Sequence, residues 1–329
     1  MRRTLLKKEV MDKNCIMVSV LVLSYNHASY IQQALNSILE QQTDFAFEIL
    51  VGDDHSQDGT AEMIAELARN DSRIRTVLRR NNIGATRNLY DLQQQARGKY
   101  LAYLEGDDYW CDPYKLQRQV DLLESHPKYI GCTHRCRIVD ESGQPCGKQH
   151  FGWISDKEEY SLGDFRGIVL PGHVNTMVHR NIFTDSGGRY EELITLHPLI
   201  GDRSLCLLLA SQGNFYRFPE SMSCYRHRCA SEGENATTVA YTLNPNRIRD
   251  DYEYTQKLEY YATCELCVDG GFLSHKKDIF VSAIWETLKH PTWTHFCLAF
   301  QILREGQTLS YLFYLPIGAF RKWKEKLRD

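Results

Sequence analysis

Four short segments of this 329-residue chain concentrate side chains able to hold a charged, oxygen-rich ligand. They are Ser24-Tyr25-Asn26, Gly52-Asp53-Asp54-His55-Ser56, Arg80-Asn81-Asn82 and Glu105-Gly106-Asp107-Asp108. Carboxylates resist burial unless a cation or metal pairs with them, so clustered acids are poorly explained by packing. Helix capping accounts for Ser29 or Asp58, but not for two acidic pairs. A nucleoside diphosphate is the simplest ligand that needs such a set. A hard divalent cation, Mg2+ or Mn2+, takes oxygen ligands and few of them from protein, so one or two carboxylates plus diphosphate oxygens complete its shell. Asp107 and Asp108 suit that role, while Asp53 and Asp54 can accept hydrogen bonds from a base N–H or a ribose hydroxyl. The aromatic pair Tyr109-Trp110 follows and is expected to wall a sugar. Neither G-x-x-x-x-G-K-[ST] nor G-x-G-x-x-G occurs, which turns the reading away from kinases and dehydrogenases.

The elements that must position these segments follow from hydrophobic periodicity. Buried strands are expected at Met17 to Leu23, Phe47 to Val51, Ile74 to Leu78 and Lys99 to Leu104. Helices are expected between them, carrying Ile31, Leu35, Ile38 and Leu39, then Met63, Ile64 and Leu67 from about Gly59 and Thr60, then Gly84 to Ala96. A fourth is expected to run to Ser125, with Asp112 as its cap and Pro113 at its first position. Four strand–helix units in a row imply an α/β protein with a mostly parallel, doubly wound sheet. Ligands then bind beyond the carboxyl ends of the strands, where all four polar segments fall.

Composition agrees with a folded chain: 43% of residues are hydrophobic and 25% charged. The net charge of -3 lacks the basic field that nucleic-acid binding needs, so no nucleic acid is expected. Its distribution is uneven, because residues 1–14 and 321–329 each carry five basic and two acidic side chains, leaving the middle acidic. Eleven scattered cysteines without a framework suit a reducing, cytoplasmic setting. Cys132 with Cys136, Cys224 with Cys229, and Cys264 with Cys267 lie close together, but none joins another pair at finger-like spacing. Residues 1–14 precede an apolar run too short for a secretory leader and better read as a strand.

The residues Val18 to Asn26, Tyr30-Ile31, Glu48 to Thr60 and Glu105 to Trp110, in this order and spacing, resemble family 2 glycosyltransferases of GT-A fold. The resemblance covers about residues 16–230 and is strongest in the first half. It implies that Ser24, Tyr25, Asn26, Asp53 and Asp54 hold the nucleoside. The family's D-x-D element maps onto Glu105-Gly106-Asp107, for ribose and metal, with Asp108 adjacent. Glu stands where the family has its first Asp, so which of Glu105, Asp107 and Asp108 touches the metal stays open. The family's catalytic base heads an apolar helix, which here is Gly201-Asp202-Arg203 before Leu205 to Leu209; a helix cap is the alternative for Asp202. Tyr225-Arg226-His227-Arg228 resembles the family's Y-R-x-H loop over the diphosphate, with the His displaced by one place. Gly172 to Arg180 resembles the strand beside the acceptor pocket, where His173 and Thr176 either contact sugar hydroxyls or are polar positions of a core strand. Trp110 is counted with that acceptor side.

The resemblance thus implies a metal-dependent, inverting transfer of a sugar from a nucleotide-sugar, by family frequency a UDP-sugar, to a growing surface glycan. The glycan would be an oligosaccharide or lipid-linked unit of capsule, O-antigen or exopolysaccharide type. A sugar-nucleotidyltransferase and a non-catalytic nucleotide-sugar-binding protein are the competing readings. The expected organisation is a basic tail at 1–15, a catalytic domain at 16–235 and a mainly helical region at 236–329. The catalytic domain divides into a donor half, 16–130, and an acceptor half, 131–235. Leu309 to Phe320 is apolar but spans only roughly 18 Å as a helix against a hydrocarbon core of about 30 Å. With the basic residues after it, 309–329 reads either as an element lying on the inner membrane leaflet or as a terminal helix docked on the core. Asn235-Ala236-Thr237 is a formal glycosylation sequon, expected to be silent in a cytosolic chain.

Overall fold

A computed structural model describes residues 15–146, 151–183, 191–227, 244–290, 293–305, 310–311, 314–316 and 318. Arg228, the sequon at Asn235 and most of the 309–329 tail lie outside them. The first half alternates β1 (Ile16–Ser24), α1 (Ile31–Leu39), β2 (Ala46–Asp53), α2 (Thr60–Asn70), β3 (Ile74–Leu78), α3 (Ala85–Gln95) and β4 (Tyr100–Glu105). Then come β5 (Tyr109–Trp110), α4 (Lys115–Ser125), β6 (Tyr129–Val139), β7 (Glu159–Tyr160), α5 (Leu162–Phe165), β8 (Val178–Arg180), α6 (Glu191–Leu196), α7 (Asp202–Ala210) and β9 (Asn214–Arg226). The C-terminal part is α8 (Arg247–Tyr260), α9 (Phe272–Lys289) and α10 (Trp293–Glu305).

The strands run β3-β2-β1-β4, all parallel, and then β8, β6, β9 and β5. Beyond β4 the sheet is mixed: β8 is antiparallel to both β4 and β6, and β6 is parallel to β9. The central strands are buried on both faces, and their side chains divide with period two. Val18, Val20 and Val22 of β1, Ile49 and Val51 of β2, and Ala102 and Leu104 of β4 meet α1, α2 and α4 on one face. Leu21, Leu50, Leu101 and Tyr103 point the other way, toward α3 and α7.

The fourth helix starts at Lys115, later than Pro113. Asp112 instead closes the preceding turn, its carboxylate accepting from Tyr114 N at 2.8 Å. The segment read as a strand from Gly172 is a tight 3-10 turn at Val174–Thr176, and only Val178–Arg180 joins the sheet.

The C-terminal helices share the core. Tyr254, Leu258, Tyr261 and Ala262 pack in the cluster that holds α7. Arg203 on α7 reaches Asp251 on α8 at 2.7 Å, and Asp251 also meets His275 of α9 at 3.1 Å. Burial pushes the Asp251 carboxyl up, but His275 and Arg203 outweigh it and hold it below the usual carboxylate range. Of the apolar run 309–320, the described Tyr311 is buried edge-on to Phe280, Tyr314 donates to Asp278 at 2.7 Å, and Leu315 packs beside them. These three side chains face α9 and its neighbours, as a docked terminal segment requires.

Lys115 is fully buried, with its ammonium 4.1 Å from the Trp110 ring centroid and one hydrogen bond to Gln119 Oε1 at 2.8 Å. Burial lowers its pKa to about 7. Between that value and the unfolded value of about 10.4 the unfolded chain holds more protons, so this residue makes stability rise with pH across that window. Urea unfolding of wild type and Lys115→Met should therefore show the wild type gaining roughly 1–2 kcal/mol on the variant between about pH 7 and pH 9. A difference that does not change with pH would mean that Lys115 keeps an ordinary pKa.

Candidate active site

The parallel order β2-β1-β4 sets three strand ends side by side. Ser24 pairs in register with Asp53, and Leu23 with Glu105. Backbone hydrogen bonds extend the sheet into the loops: Asp54 N donates to Ser24 O at 2.9 Å, and Gly106 N to Leu23 O at 2.8 Å. Glycine is needed at 106, because a Cβ there would lie 2.6 Å from His27 Nδ1 and 3.1 Å from Ile31 Cδ1.

On the β1–β2 side the loops are laced to one another. Asp53 accepts from Ser56 Oγ at 2.5 Å and from Ser56 N at 3.0 Å. Ser56 Oγ accepts from Asn26 N, and Asn26 Oδ1 from Gln57 N, both at 2.9 Å. Asn26 at φ +53° and His55 at φ +69° both sit in the left-handed region, a strain that the interlocked loops hold in place. Ser24 Oγ is buried with no hydrogen-bond partner among the described residues, and Tyr25 beside it is half-buried. Asp54 turns the other way. Its oxygens accept from Ile83 N at 2.8 Å and Gly84 N at 2.9 Å, so it holds the loop that starts α3.

On the β4 side, Asp108 is buried, taking Asn175 Nδ2 at 2.6 Å on one oxygen and Arg226 N at 2.8 Å on the other. Burial, then Asp107 and Glu105, push its carboxyl well above the usual range. Asp107 lies 3.6 Å from His27 Nε2. One ligand atom each from Glu105, Asp108 and His173 falls within 4.8 Å of the others. Two carboxylates and an imidazole form a donor set that a divalent cation accepts, and such a cation relieves the crowding of like charge. Burial lowers the His173 pKa to about 4, so its imidazole is neutral at pH 7, the form that ligates metals.

Besides Asp54, three residues assigned from sequence are taken up by the scaffold. Arg226 is buried, and its guanidinium donates to the carbonyls of Asp107 (2.9 Å), Asp140 (3.2 Å) and Glu141 (2.6 Å) and to Gln33 Oε1 (2.8 Å). It lies between the Tyr30 and Tyr109 rings. The group expected at a diphosphate thus fixes the back of the acidic loop. Trp110 is in the core, with Nε1 donating to Asn175 O at 3.1 Å, and does not line a sugar pocket. Thr176 is fully buried and donates to His173 O at 2.6 Å, shaping the turn that presents His173. His227 is held by its backbone N–H to Val139 O at 2.8 Å.

The aromatic wall beside the acids joins Tyr225 and His173, both in marked segments, to Phe151 and Trp153, which no motif marked. Tyr225 is 4.5 Å from the His173 ring centroid, and Phe151 and Trp153 each lie 6.1 Å from it. Burial and then Glu105, Asp108 and Asp107 push the Tyr225 phenol up, which sets it next to the acidic group. Asn175, Gln33 and His27 also escaped the sequence reading, because single polar residues carry no spacing signal.

Asp202 is the first residue of α7, half-buried, with one oxygen accepting from Arg203 N at 2.7 Å. Burial raises its pKa. The segment before it rests on the α3 loop that Asp54 holds: Thr86 N donates to Pro198 O at 3.2 Å, and a Cβ on Gly201 would meet Thr86 at 3.3 Å. The two carboxylates are thereby tied to one loop.

If Arg226 is a structural bolt, Arg226→Ala removes a buried guanidinium that donates to the carbonyls of Asp107, Asp140 and Glu141 and should cost about 2–4 kcal/mol in urea unfolding. A variant that folds with wild-type stability would return the guanidinium to a ligand-facing role.

The profile of Glycosyl transferase family 2 matches residues 19–187. An uncharacterized protein of Mycobacterium tuberculosis is 43% identical over 225 residues, covering 67% of this chain and 62% of that protein. TuaG of Bacillus subtilis, a putative teichuronic acid biosynthesis glycosyltransferase, is 34% identical over 164 residues, covering 50% of this chain and 62% of TuaG. The chain thus spans less than two thirds of the length of these curated relatives. Among solved structures, S. aureus TarS in complex with UDP-GlcNAc aligns with a TM-score of 0.62 at 18% identity, over 88% of this chain and 80% of TarS. That likeness shows a GT-A-like fold. Because the family match runs through both acidic segments and over half of the sequence, the chain belongs to glycosyl transferase family 2.

Proposed function

We propose that this protein is a glycosyltransferase that moves a sugar, with inversion, from a UDP-sugar to a surface-glycan acceptor carried on a lipid. The observation that carries the reading is the meeting of Glu105, Asp108 and His173 at the carboxyl edge of the sheet, beside Asp107 and the laced Ser24–Asn26 and Asp53–Ser56 loops. The UDP choice is supported by the ligand of TarS, and the acceptor class by the name of TuaG. The setting is the cytoplasm, at the inner face of the membrane.

In this reading the ends of β1 and β2 bind the nucleoside. Tyr25 and the backbone of the Asn26 loop form its walls, and Asp53 holds that loop in shape while one of its oxygens faces the base or ribose. Glu105, Asp108 and His173, with Asp107 beside them, would hold Mg2+ or Mn2+. The bound cation supplies charge stabilisation for the departing nucleoside diphosphate. Tyr225, Phe151 and Trp153 exclude water beside the sugar and offer it an apolar face. Asp202 takes the proton from the acceptor hydroxyl as that oxygen attacks the anomeric carbon from the face opposite the diphosphate. Burial makes it a stronger base than an exposed Asp.

Several outcomes test this. A panel of nucleotide-sugars read by mass spectrometry should give release of a nucleoside diphosphate; release of inorganic diphosphate would instead mark a nucleotidyltransferase. Excess EDTA should abolish turnover and added Mn2+ or Mg2+ restore it, and Asp108→Asn should mimic the chelator. Full rate in EDTA sinks the metal assignment. Asp202→Asn should keep donor affinity but lose roughly 10²-fold or more in rate. Because Asp202 must be ionised to act and its pKa is raised, wild-type rate should fall with acid at a pH above the ordinary Asp value of about 3.9. That acid limb should be absent from the residual rate of Asp202→Asn. Equal loss of donor affinity and rate would make Asp202 a helix cap or a donor ligand.

A further inference from the structure

Apart from the acidic edge, the feature that most needs explanation is the outer side of α9 and α10. Trp285 is 37% exposed, Leu288 74%, Trp293 78%, Phe296 53% and Phe300 59%. These five make up most of the exposed large hydrophobic side chains among the described residues, and they fall within sixteen positions of one another. Trp293, Phe296 and Phe300 recur at helical spacing along one stripe of α10, with the first two rings stacked at 5.7 Å. The opposite stripe, Leu298, Ala299 and Ile302, is buried against α9. Residues 293–303 contain no Asp, Glu, Lys or Arg. A helix apolar on both sides is stable only when something other than water covers its second side.

The charge at this face and in the sequence that follows it argues for what covers it. Exposed Lys289 and Arg304 stand at its two ends, and the chain from 306 to 329 carries five basic and two acidic residues in a protein whose net charge is negative. Trp and Phe beside cations suit the boundary between headgroups and acyl chains, where anionic lipids attract the cations. No described helix is long and apolar enough to cross a membrane, so the element would lie along the surface.

We propose that the face formed by Trp285, Leu288, Trp293, Phe296 and Phe300 docks this protein on an anionic lipid bilayer. It differs from the apolar residues of the 309–320 run, since the described Tyr311, Tyr314 and Leu315 pack inward. It does not depend on which sugar is transferred, because binding is read without donor or acceptor.

The test uses the full chain with vesicles of phosphatidylcholine alone or of phosphatidylcholine and phosphatidylglycerol in equal shares. Sedimentation should show binding to the mixed vesicles, and Trp293→Ser/Phe296→Ser/Phe300→Ser should weaken it at least tenfold. The three side chains are exposed, so the urea midpoint of this variant should match wild type; if it does not, Phe300→Gln alone should still weaken binding. Replacing Lys322, Lys324 and Lys326 with Gln should also weaken it. Equal binding to both vesicle types, or a bound fraction unchanged by the aromatic substitutions, overturns the proposal. So does an absence of vesicle binding together with a wild-type dimer that the triple variant turns into a monomer, which would make the face a contact between copies.

Discussion

Three carboxyl groups at the end of one strand repel each other, and the least exposed of them, Asp108, has no water to dilute its charge. The protein resolves this by making Asp108 the acceptor for two donors from distant parts of the chain, Asn175 Nδ2 and the Arg226 backbone N–H. Those hydrogen bonds join β4, the 174–176 turn and the end of β9 at a single carboxylate. Much of the acceptor half is arranged around that joint. Trp110 donates to the Asn175 carbonyl, Ser223 Oγ to Asn175 Oδ1, and Gln119 to the Thr176 carbonyl. Arg226 adds its guanidinium to the back of the same loop. Removing any one of these leaves a buried polar group unsatisfied, which is why they are all present together.

This arrangement separates two tasks that the motif compresses into four letters. Asp108 is committed on both oxygens to the scaffold, whereas Glu105 is half-buried and Asp107 faces His27. A carboxylate oxygen has lone pairs enough for a protein donor and a cation together, so Asp108 belongs to both the scaffold and the proposed metal shell. Asp53 and Asp54 divide in the same manner. Asp53 shapes the Asn26–Ser56 interlock, and Asp54 holds the start of α3, on which the Pro198–Asp202 segment rests.

The parallel half of the fold was legible because its physics is local. Val18, Val20 and Val22 against Leu21 is a period-two code for a strand covered on both faces, and Ile31, Leu35 and Ile38 is a helical stripe. The acidic edge was legible because strand ends in such a sheet share one side. Arg226 and Trp110 were misplaced for a non-local reason: whether a guanidinium meets a ligand or a carbonyl depends on which segment crosses it. The Arg226 guanidinium meets the Asp107 carbonyl, 119 positions earlier in the chain. The Phe151 and Trp153 part of the aromatic wall was unread for the same reason, since these rings meet His173 and Tyr225 only in the folded chain. Sequence spacing also reads a helix start from Asp112-Pro113, but the carboxylate was drawn into the turn before it.

The C-terminal helices make the remaining link between packing and chemistry. Arg203 follows Asp202 directly, and its guanidinium is held by Asp251, Thr255 and the Gly167 carbonyl, with the Tyr254 ring 4.6 Å away. Tyr254 itself donates to Ile200 O at 2.6 Å, two residues before Asp202. The helix that presents the proposed base is therefore clamped by α8 from both sides of that residue. Asp251 is shared with His275 on α9, and α9 carries α10 through Ile279, Phe280, Leu298 and Ile302. A surface pressed against α10 is then connected to Asp202 through packed side chains and the Arg203–Asp251 ion pair. Under the proposed membrane docking and the proposed role of Asp202, the orientation of the bound face would fix the direction in which the base looks.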